Sequence, residues 1–275
     1  MKILVTAGST QVPIDKVRAI TNIFKGRTGA AIARWLDSLN DYRGSPKMSH
    51  EIVLLTSTPE MFLDGKEILS YEKYLTKKAE YREQCRHGFQ SAHEEEFGLL
   101  IVRFRTFDDL ARIMEQEIRT GGYDVVIHSA AVSDYEVAGV LRQGSLGNLE
   151  PIDFEAKVSS KHPELYLRLV PTFKIVDRIK KEWGFKGKLV KFKLEVGKSD
   201  EELIEIAKKS GVASDADLIV ANCLEWARER AYIIDWDGVI NVTREKLPKE
   251  LALRLGIIGS DFVPLPPVDG SRRRY

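Results

Sequence analysis

Short apolar runs rich in β-branched residues alternate with helical patterns along most of this chain. The first run, residues 2–7, ends in Gly8 and is typical of a strand that is buried on both faces. Strands that alternate with helices need crossover connections, and such connections produce a mainly parallel sheet covered by helices on both sides. The alternation therefore predicts an α/β fold with three layers.

The same pattern continues as far as a hairpin near the C-terminus. Apolar positions at three-to-four spacing predict a helix from Ala30, with Thr28 as its cap, after a loop of about 20 residues. Asp237-Gly238 lies between two β-rich runs, as in a tight hairpin turn. We predict a Rossmann-like, doubly wound, mainly parallel sheet that this antiparallel hairpin completes. The other strands are predicted at residues 51–58, 99–104, 124–131, 164–170, 188–196 and 217–222, and the other helices at residues 107–119, 172–183 and 200–209.

Two segments interrupt the alternation. Residues 63–97 are charged and carry tyrosines at roughly helical spacing, which predicts an insertion with its own helices. Residues 262–275 combine PLPP with DGSRRR, a composition that cannot bury enough surface to order itself. We therefore expect a single domain over residues 1–261 that contains the insertion, followed by a flexible tail.

Composition and charge exclude several classes of protein. The 42 Lys and Arg residues nearly balance the 41 Asp and Glu residues, and the net charge of +1 is too small for a general nucleic-acid binder. The N-terminus enters a strand at once, without a secretory signal, and no apolar run is long enough to span a bilayer. We expect a cytoplasmic protein that binds neither nucleic acid nor membrane. Its two cysteines, Cys85 and Cys223, are expected to be free thiols.

The first strand ends in a loop that suits a ligand. Gly8 lets the backbone approach a ligand closely, and Ser9 and Thr10 offer hydroxyl and amide groups at the edge where open α/β sheets bind ligands. A nicotinamide-dependent reductase would have G-x-G-x-x-G here and an acidic residue after the second strand. Instead, the loop reads GSTQVPID and the second strand ends in Leu-Thr-Ser. The reductase is kept as an alternative, and the simpler interpretation of Gly8 is that it ends a strand.

Four separated blocks of the sequence match one enzyme family. They are LVTAGSTQVPIDKVRAITNIFKGRTGAAIA, HSAAVSDY, AKVSSK followed by LRLVPTFKIV, and KFKLE followed by DLIVAN. They occur in the family's order between residues 2 and 222. The chain therefore resembles the phosphopantothenate-cysteine ligases, the phosphopantothenoylcysteine synthetases of coenzyme A biosynthesis. The resemblance covers most of the chain apart from the insertion and the tail.

The resemblance implies that the first block holds phosphopantothenate. Asn22 takes the place of an asparagine that contacts the activated acyl group, and an amide can both donate and accept hydrogen bonds. Gly26 and Gly29 match paired glycines that open a helix, whose N-terminal amides suit a phosphate. Without the motif, these residues would be interpreted as a turn asparagine and an ordinary helix entry. Arg18 either neutralises an anion or pairs with Asp15.

The second block is implied to contact the nucleotide. Ala130 and Ala131 would let a base or ribose approach, and Asp134 would accept a hydrogen bond from a ribose hydroxyl. The alternative is that the alanines pack closely against a helix and that Asp134 is a cap. His128, inside the preceding apolar strand, is interpreted as a buried structural histidine.

Lys157 is the sharpest catalytic candidate. It matches a flexible-loop lysine on which the family's nucleotidyl transfer depends, although Lys161 is close enough to exchange with it. Negative charge gathers on the phosphoryl oxygens when a carboxylate attacks the α-phosphorus, and a lysine ammonium stabilises that charge by about 3 kcal/mol. Without the motif, Lys157 would be an ordinary surface lysine.

The last two blocks imply further contacts with the nucleotide. Residues 171–176 resemble a segment whose backbone and helix N-terminus touch the nucleotide. Phe192 takes the place of an aromatic residue near the base, although core packing explains it equally well. Bacterial members have lysines where ungapped alignment puts Ser210 and Ser214, which leaves the choice between CTP and ATP open. The candidate binding residues of the third block are Pro171, Lys174, Ile175 and Val176.

The sequence as a whole predicts a two-step ligase. The resemblance implies that it uses CTP or ATP with Mg²⁺ and forms a homodimer with sites near the interface. We expect no flavin, because two-function relatives carry a decarboxylase domain before the ligase and nothing precedes Met1. The alternatives are an NAD(P)-dependent reductase and a non-catalytic, ligase-like nucleotide-binding protein. Cys85, His87 and His93 fit no closed zinc pattern, so no metal site of the protein's own is expected.

Overall fold

A mixed β-sheet forms the centre of the computed structural model, which describes residues 1–40, 50–62, 67–86, 98–144, 147–260 and 262. The strands are β1 (Lys2–Ala7), β2 (Gln11–Pro13), β3 (Ala19–Thr21), β4 (Glu51–Thr56), β5 (Ile68–Leu69), β6 (Leu99–Arg103), β7 (Val125–His128), β8 (Tyr135–Gln143), β9 (Leu149–Ile152), β10 (Tyr166–Pro171), β11 (Lys188–Glu195), β12 (Leu218–Cys223), β13 (Arg230–Asp235) and β14 (Gly238–Thr243). The helices are α1 (Arg27–Ser38), α2 (Tyr71–Arg86), α3 (Phe107–Gly121), α4 (Ile175–Lys181), α5 (Asp200–Ser214) and α6 (Leu247–Leu255), and a 3-10 turn covers Pro59–Phe62.

The order of the strands makes the sheet doubly wound. Within the described residues, the central sheet runs β14-β13-β12-β11-β7-β1-β4-β6-β5. The strands from β12 to β5 are parallel, and β13 and β14 are antiparallel. This confirms the predicted Rossmann-like sheet with a C-terminal antiparallel hairpin. The order reverses at β1, which has β4 on one side and β7 on the other, and ligands bind in the crevice at such a switch point.

Successive side chains of β1 enter two different cores. Ile3 and Val5 pack in the layer of α1 and α6, whereas Leu4 packs in the layer of α3 and α4. All three side chains are fully buried. A strand covered on both faces is apolar at nearly every position, which is why the sequence predicted β1 residue for residue. No helix in the described part of the chain is long and apolar enough to cross a membrane.

A second sheet lies outside the central one. Strands β10, β8 and β9 form an antiparallel sheet in that order. The sequence predicted the strand at residues 164–170, but that strand belongs to this second sheet and not to the parallel one. Strands β8 and β9 were not predicted, because Val140 is the one buried residue of β8 and β9 has none. Their sequence consequently carries little apolar periodicity.

The predicted loop after β1 contains a small hairpin. Strands β2 and β3 pair antiparallel within it. The prediction for the following helix was wrong at its start: α1 begins at Arg27, its cap is Gly26 at φ +74°, and no side chain caps it. Thr28 lies inside the first turn and accepts a hydrogen bond from Arg244 at 2.9 Å.

The buried carboxylate of Glu117 links α3 to α2, which lies in the segment predicted as an insertion. Within that segment lies α2, and its Tyr71 and Tyr74 hydroxyls donate to Glu117 of α3 at 3.1 and 2.8 Å. Tyr123 donates to the same carboxylate at 2.7 Å, and Lys78 pairs with it at 2.9 Å. Burial opposes ionisation of Glu117, but hydrogen bonds from Lys78 and the tyrosines lower its pKa. The carboxylate therefore stays charged between the two helices.

Some predictions concern segments that the structure describes only in part. The side chains of Tyr81 and Cys85, together with His87 and His93, lie outside the described residues. Of the segment predicted as a tail, Phe262 is described, and its ring packs edge-on against Trp35 with centroids 6.3 Å apart. Cys223 is a buried free thiol.

Candidate active site at the carboxyl ends of β1 and β7

Hydrogen bonds join the loops that follow β1 and β7. The Ala131 amide donates to the Gly8 carbonyl at 2.8 Å, and the Thr10 amide donates to the Ala131 carbonyl at 3.2 Å. The Thr10 hydroxyl also accepts from the Ser133 amide at 2.9 Å. The backbone pairing of the two strands thus continues beyond their ends. It holds the first and second predicted blocks against each other at the switch point.

Glycines bring the N-terminus of α1 onto the same strand ends. A Cβ on Gly26 would lie 2.0 Å from the Gly8 nitrogen, and one on Gly29 would lie 2.3 Å from Ser129 Oγ. Gly8 itself has φ +88°, and a Cβ there would lie 2.2 Å from Ser57 Oγ. Larger residues do not fit at this contact. The paired glycines therefore aim the uncapped helix N-terminus, an electropositive end, at the crevice.

The β2–β3 hairpin returns Asn22 to this point. The Asn22 Nδ2 atom donates to the Ala131 carbonyl at 3.3 Å, and the side chain is exposed. Thr21 shares a hydrogen bond with Ser9 at 3.1 Å between hydroxyls. Residues 8–10, 26–29 and 129–134, with Asn22 beside them, are called the edge region below.

The third predicted block reaches the edge region from α4. The Thr172 amide donates to the Asp134 carbonyl at 2.9 Å, and the Thr172 hydroxyl donates to the Ser133 carbonyl at 2.8 Å. Lys174, at the N-terminal cap of α4, forms an ion pair with Asp134, and both side chains are more than half exposed. Pro171 ends β10 opposite Tyr135.

Two of the predicted contacts in this block have side chains in the core. Ile175 is buried in the layer of α3 and α4, and Val176 packs against the same cluster. A ligand at the N-terminus of α4 would consequently meet their backbone. Phe192 of β11 packs against the core shared with α1 and α6, which agrees with the simpler interpretation of that residue.

Lys157 lies on an exposed stretch, residues 153–161, called the lysine segment below. Lys157 and Lys161 are both exposed, whereas Val158 between them is 2% exposed. The Val158 amide donates to Asp15 Oδ2 at 3.0 Å, and its carbonyl accepts from Arg18 Nη2 at 2.8 Å. Arg18 also forms an ion pair with Asp15, so the second of its two interpretations is the one that the structure shows.

A half-buried lysine of β11 bonds to the two serines of α5 that the sequence analysis singled out. Lys191 of β11 donates to the Ser210 carbonyl at 3.0 Å and to the Ser214 hydroxyl. Burial lowers the pKa of Lys191, and Asp177 opposes that shift. An ammonium from β11 therefore lies beside Ser210 and Ser214. Lys208 and Lys209 are exposed on α5, and Lys209 pairs with Glu205 at 3.2 Å.

His128 is a structural residue, as predicted. It shares a hydrogen bond with Thr6 at 3.0 Å, and burial, together with the charge of Lys191, lowers its pKa to about 4. The imidazole is therefore neutral near pH 7. In the described residues, no group of three His, Cys, Asp or Glu side chains is arranged to hold a metal ion.

The sequence did not identify every polar group at the edge region. Ser57 Oγ accepts from the Ser9 amide at 2.8 Å, and Ser129 Oγ donates to the Thr6 carbonyl at 2.6 Å. Ser133 and Thr172 complete the contacts already described. Single serines and threonines after strands are common, so nothing in the sequence distinguished these four from others.

Comparison with known proteins gives a family. The sequence profile of the DNA/pantothenate metabolism flavoprotein C-terminal domain matches residues 1–40 and 88–253. The coenzyme A biosynthesis bifunctional protein CoaBC of Thermococcus kodakarensis is 31% identical over 263 residues, 92% of this chain and 49% of that protein. CoaBC of Methanocaldococcus jannaschii is 23% identical over 223 residues, 81% of this chain and 40% of that protein. The chain thus spans half or less of the length of these relatives.

Solved structures agree with the assignment. The DNA/pantothenate metabolism flavoprotein from Streptococcus pneumoniae superposes with a TM-score of 0.67 at 27% identity, over 94% of this chain and 99% of that chain. A Cab2 variant in complex with phosphopantothenate-cysteine gives a TM-score of 0.62 at 19% identity, over 93% of this chain and 86% of that chain, a likeness of fold. The chain belongs to the family of the DNA/pantothenate metabolism flavoprotein C-terminal domain, to which the ligase motifs of its sequence also point.

Proposed function

We propose that this chain condenses phosphopantothenate with L-cysteine to form phosphopantothenoylcysteine, through an acyl-nucleotide intermediate, in the cytoplasmic synthesis of coenzyme A. The observation that carries the proposal is the convergence at the edge region. An uncapped helix N-terminus, an exposed amide side chain and the N-terminus of a second helix meet where β1 and β7 end. These groups suit two phosphorylated ligands that must react with each other.

Phosphopantothenate is proposed to bind at the N-terminus of α1. Its phosphate would accept hydrogen bonds from amides of the first turn, which the contact between Gly26 and Gly8 leaves open to the crevice. Asn22 would hold the acyl group, because its amide lies beside the Ala131 carbonyl and can donate to a carbonyl or phosphoryl oxygen.

The nucleotide is proposed to lie across the second and third blocks. Ala130 and Ala131 leave room for a ribose or base, and Asp134 can accept from a ribose hydroxyl. Lys174 sits beside Asp134 and offers an ammonium to the phosphates. The N-terminus of α4 adds a positive end of a helix dipole.

Lys157 is proposed to stabilise the charge that develops during nucleotidyl transfer. A carboxylate oxygen of phosphopantothenate attacks the α-phosphorus of the nucleotide, and pyrophosphate leaves. The amine of cysteine then attacks the acyl carbon, the nucleoside monophosphate leaves, and an amide bond forms with loss of a proton. Alignment of the reactants and charge stabilisation supply the catalysis in both steps.

Mg²⁺ is proposed to arrive with the nucleotide and to neutralise its phosphates. Magnesium usually binds through substrate phosphates and one or two carboxylates. The nucleotide is CTP or ATP. Any explanation of which one this chain uses has to include the Lys191 ammonium beside Ser210 and Ser214.

We also propose that the protein acts as a homodimer. The β2–β3 hairpin packs against β8, and the hairpin region and the second sheet both carry exposed apolar side chains. Large exposed apolar side chains that lie on neighbouring elements are typical of an interface. A second copy would bury them close to Asn22, and light scattering would detect the doubled mass. The exposed apolar residues are Val17, Ile20, Ile23, Tyr135, Leu149 and Leu169.

The test is a reaction with purified components. The protein is mixed with phosphopantothenate, cysteine and Mg²⁺ together with CTP or ATP, and both pyrophosphate and the mass of the product are followed. We expect phosphopantothenoylcysteine with at least one nucleotide and none when cysteine is omitted. Failure to form a cysteine-dependent product with either nucleotide would contradict the proposal. Nucleotide binding without turnover would indicate a non-catalytic scaffold.

A further inference from the structure

A fully buried carboxylate lies at the tip of the β2–β3 hairpin. The side chain of Asp15 is 0% exposed. Its Oδ1 atom accepts from the amides of Val17 and Arg18 at 2.9 and 2.8 Å. Its Oδ2 atom accepts from Arg18 Nε and from the Val158 amide, both at 3.0 Å, and from Arg18 Nη2. The carboxylate is therefore satisfied by its own hairpin and by one residue 143 positions away.

The ion pair of Asp15 and Arg18 binds both the backbone amide and the backbone carbonyl of Val158. Asp15 accepts from the Val158 amide, while Arg18 donates to the Val158 carbonyl at 2.8 Å. A buried backbone amide and carbonyl need partners, and those of Val158 come from these two side chains. The guanidinium suits this task because its planar fork donates to the carboxylate and the carbonyl at once.

The residue held in this way is the neighbour of the proposed catalytic lysine. Val158 is 2% exposed, whereas Lys157 before it is exposed. The strands that lead from the hairpin tip back to the edge region have three residues each, a span of about 10 Å. The tip therefore holds the residue next to Lys157 at the end of a short hairpin that starts from the edge region.

We infer that Asp15 and Arg18 form a clamp that positions Lys157 for nucleotidyl transfer. The inference rests on the proposed function and deepens it, since it names two positioning residues that touch neither substrate. It also selects between the two lysines. The clamp holds the residue next to Lys157, whereas Lys161 lies three positions beyond, where its amide donates locally to Ser159 at 3.2 Å.

The clamp stays charged across the neutral range. The hydrogen bond from Arg18, with the backbone amides, holds the pKa of Asp15 well below its ordinary value of 3.8. Asp15→Asn keeps the shape of the side chain but removes the charge and one acceptor. Arg18→Lys keeps the charge but loses the fork. Arg142→Gln is the matched control, because it breaks an exposed ion pair with Glu150 at 3.2 Å on the β8–β9 hairpin.

The test is a double-mutant cycle on pyrophosphate release in a single turnover at saturating substrates. Asp15→Asn and Arg18→Lys are expected to slow release by about 10- to 100-fold, and Arg142→Gln by less than about twofold. Steady-state assays of the same variants should give a nearly unchanged KM for phosphopantothenate. In a Lys157→Gln background, Asp15→Asn should add less than about twofold. Losses that multiply across the cycle would overturn the inference, because the pair would then act independently of the lysine.

Hydrogen exchange of peptides covering residues 153–161 gives a second measurement that does not need activity. Asp15→Asn should speed exchange there while leaving the peptides of β1 unchanged, which also shows that the variant is folded. Unchanged exchange in the lysine segment would overturn the clamp. A wild-type protein that makes no product would contradict the proposed function, and the exchange result would still decide whether the ion pair holds the segment.

Discussion

The edge region and the lysine segment are positioned in different ways. The edge region is held by backbone hydrogen bonds between β1 and β7 and by glycine contacts that leave no room for a Cβ. The lysine segment is exposed on both sides of Val158 and is held there by two side chains of a distant hairpin. Under the proposed function, the ligands bind at groups that the sheet fixes, whereas the ammonium of Lys157 is held in place by a side-chain contact that a single substitution can remove.

Replacing Lys157 or Lys161 by glutamine, one at a time, should reveal the largest difference in reaction rate. Lys157→Gln removes the ammonium proposed to face the developing phosphoryl charge and should slow acyl-nucleotide formation by about 10²- to 10³-fold. Lys161→Gln, which removes the same charge three residues away, should change it by less than about twofold. Single-turnover pyrophosphate release measures both. Damage from Lys161→Gln with Lys157→Gln spared would reverse the assignment.

Adding one methyl group at Gly26, where α1 contacts Gly8, should lower the stability of the folded protein. Gly26→Ala combines a positive φ with a Cβ 2.0 Å from the Gly8 nitrogen, and should lower the free energy of unfolding by about 3 kcal/mol or more. Gly184→Ala has nearly the same φ, +75°, but its Cβ would meet nothing within 4 Å, and it should lower the free energy of unfolding by about 1 kcal/mol. Urea unfolding measures the difference. Equal losses would mean that the close contact does not constrain α1.

Removing the exposed amide should affect chemistry without affecting stability. Asn22→Ala deletes a side chain on the surface of the edge region and should change the free energy of unfolding by less than about 0.5 kcal/mol. We expect kcat to fall about tenfold, equivalent to about 1.4 kcal/mol. Parallel unfolding and steady-state measurements separate the two effects. A large loss of stability with unchanged kcat would make Asn22 a turn residue.

Acid should remove the contribution of Asp15 to the free energy of unfolding. The pKa of Asp15 is lowered in the folded protein, chiefly by Arg18, so its contribution to stability is complete above its ordinary pKa of 3.8 and is lost as the pH falls below that value. The stability difference between wild type and Asp15→Asn should be constant from about pH 7 to 5 and shrink below about pH 4. Urea unfolding at several pH values measures it. A difference that grows on acidification would contradict the clamp.

The sequence predicted the parts of the fold that are buried on both sides. Strand β1 and the start of β11 were placed to the residue because every apolar position there faces a core. The second sheet and the β2–β3 hairpin were missed because their strands are largely exposed and lack apolar alternation. Their stability comes from contacts between distant residues, which a local pattern does not record.

The same distinction applies to the candidate site. Open α/β sheets bind ligands at the carboxyl ends of their strands, and this tendency together with the family motifs indicated the edge region. The structure brings Gly8, Thr10, Asn22 and Ala131 together there. The pairing of Arg18 with Asp15 was one of two interpretations that the sequence left open. Their contact with Val158 was not predictable. It joins residues that are 143 and 140 positions apart, and it uses the backbone of Val158, so the residue type at that position carries no signal of it.

The most direct test of the account is to look for the intermediate itself. Without cysteine, the protein, phosphopantothenate, Mg²⁺ and the preferred nucleotide should accumulate an acyl-nucleotide, visible by mass spectrometry, with one pyrophosphate released for each. Adding cysteine should convert it to phosphopantothenoylcysteine and nucleoside monophosphate. Phosphopantothenoylcysteine that forms without any acyl-nucleotide or prior pyrophosphate release would contradict the two-step mechanism at the edge region.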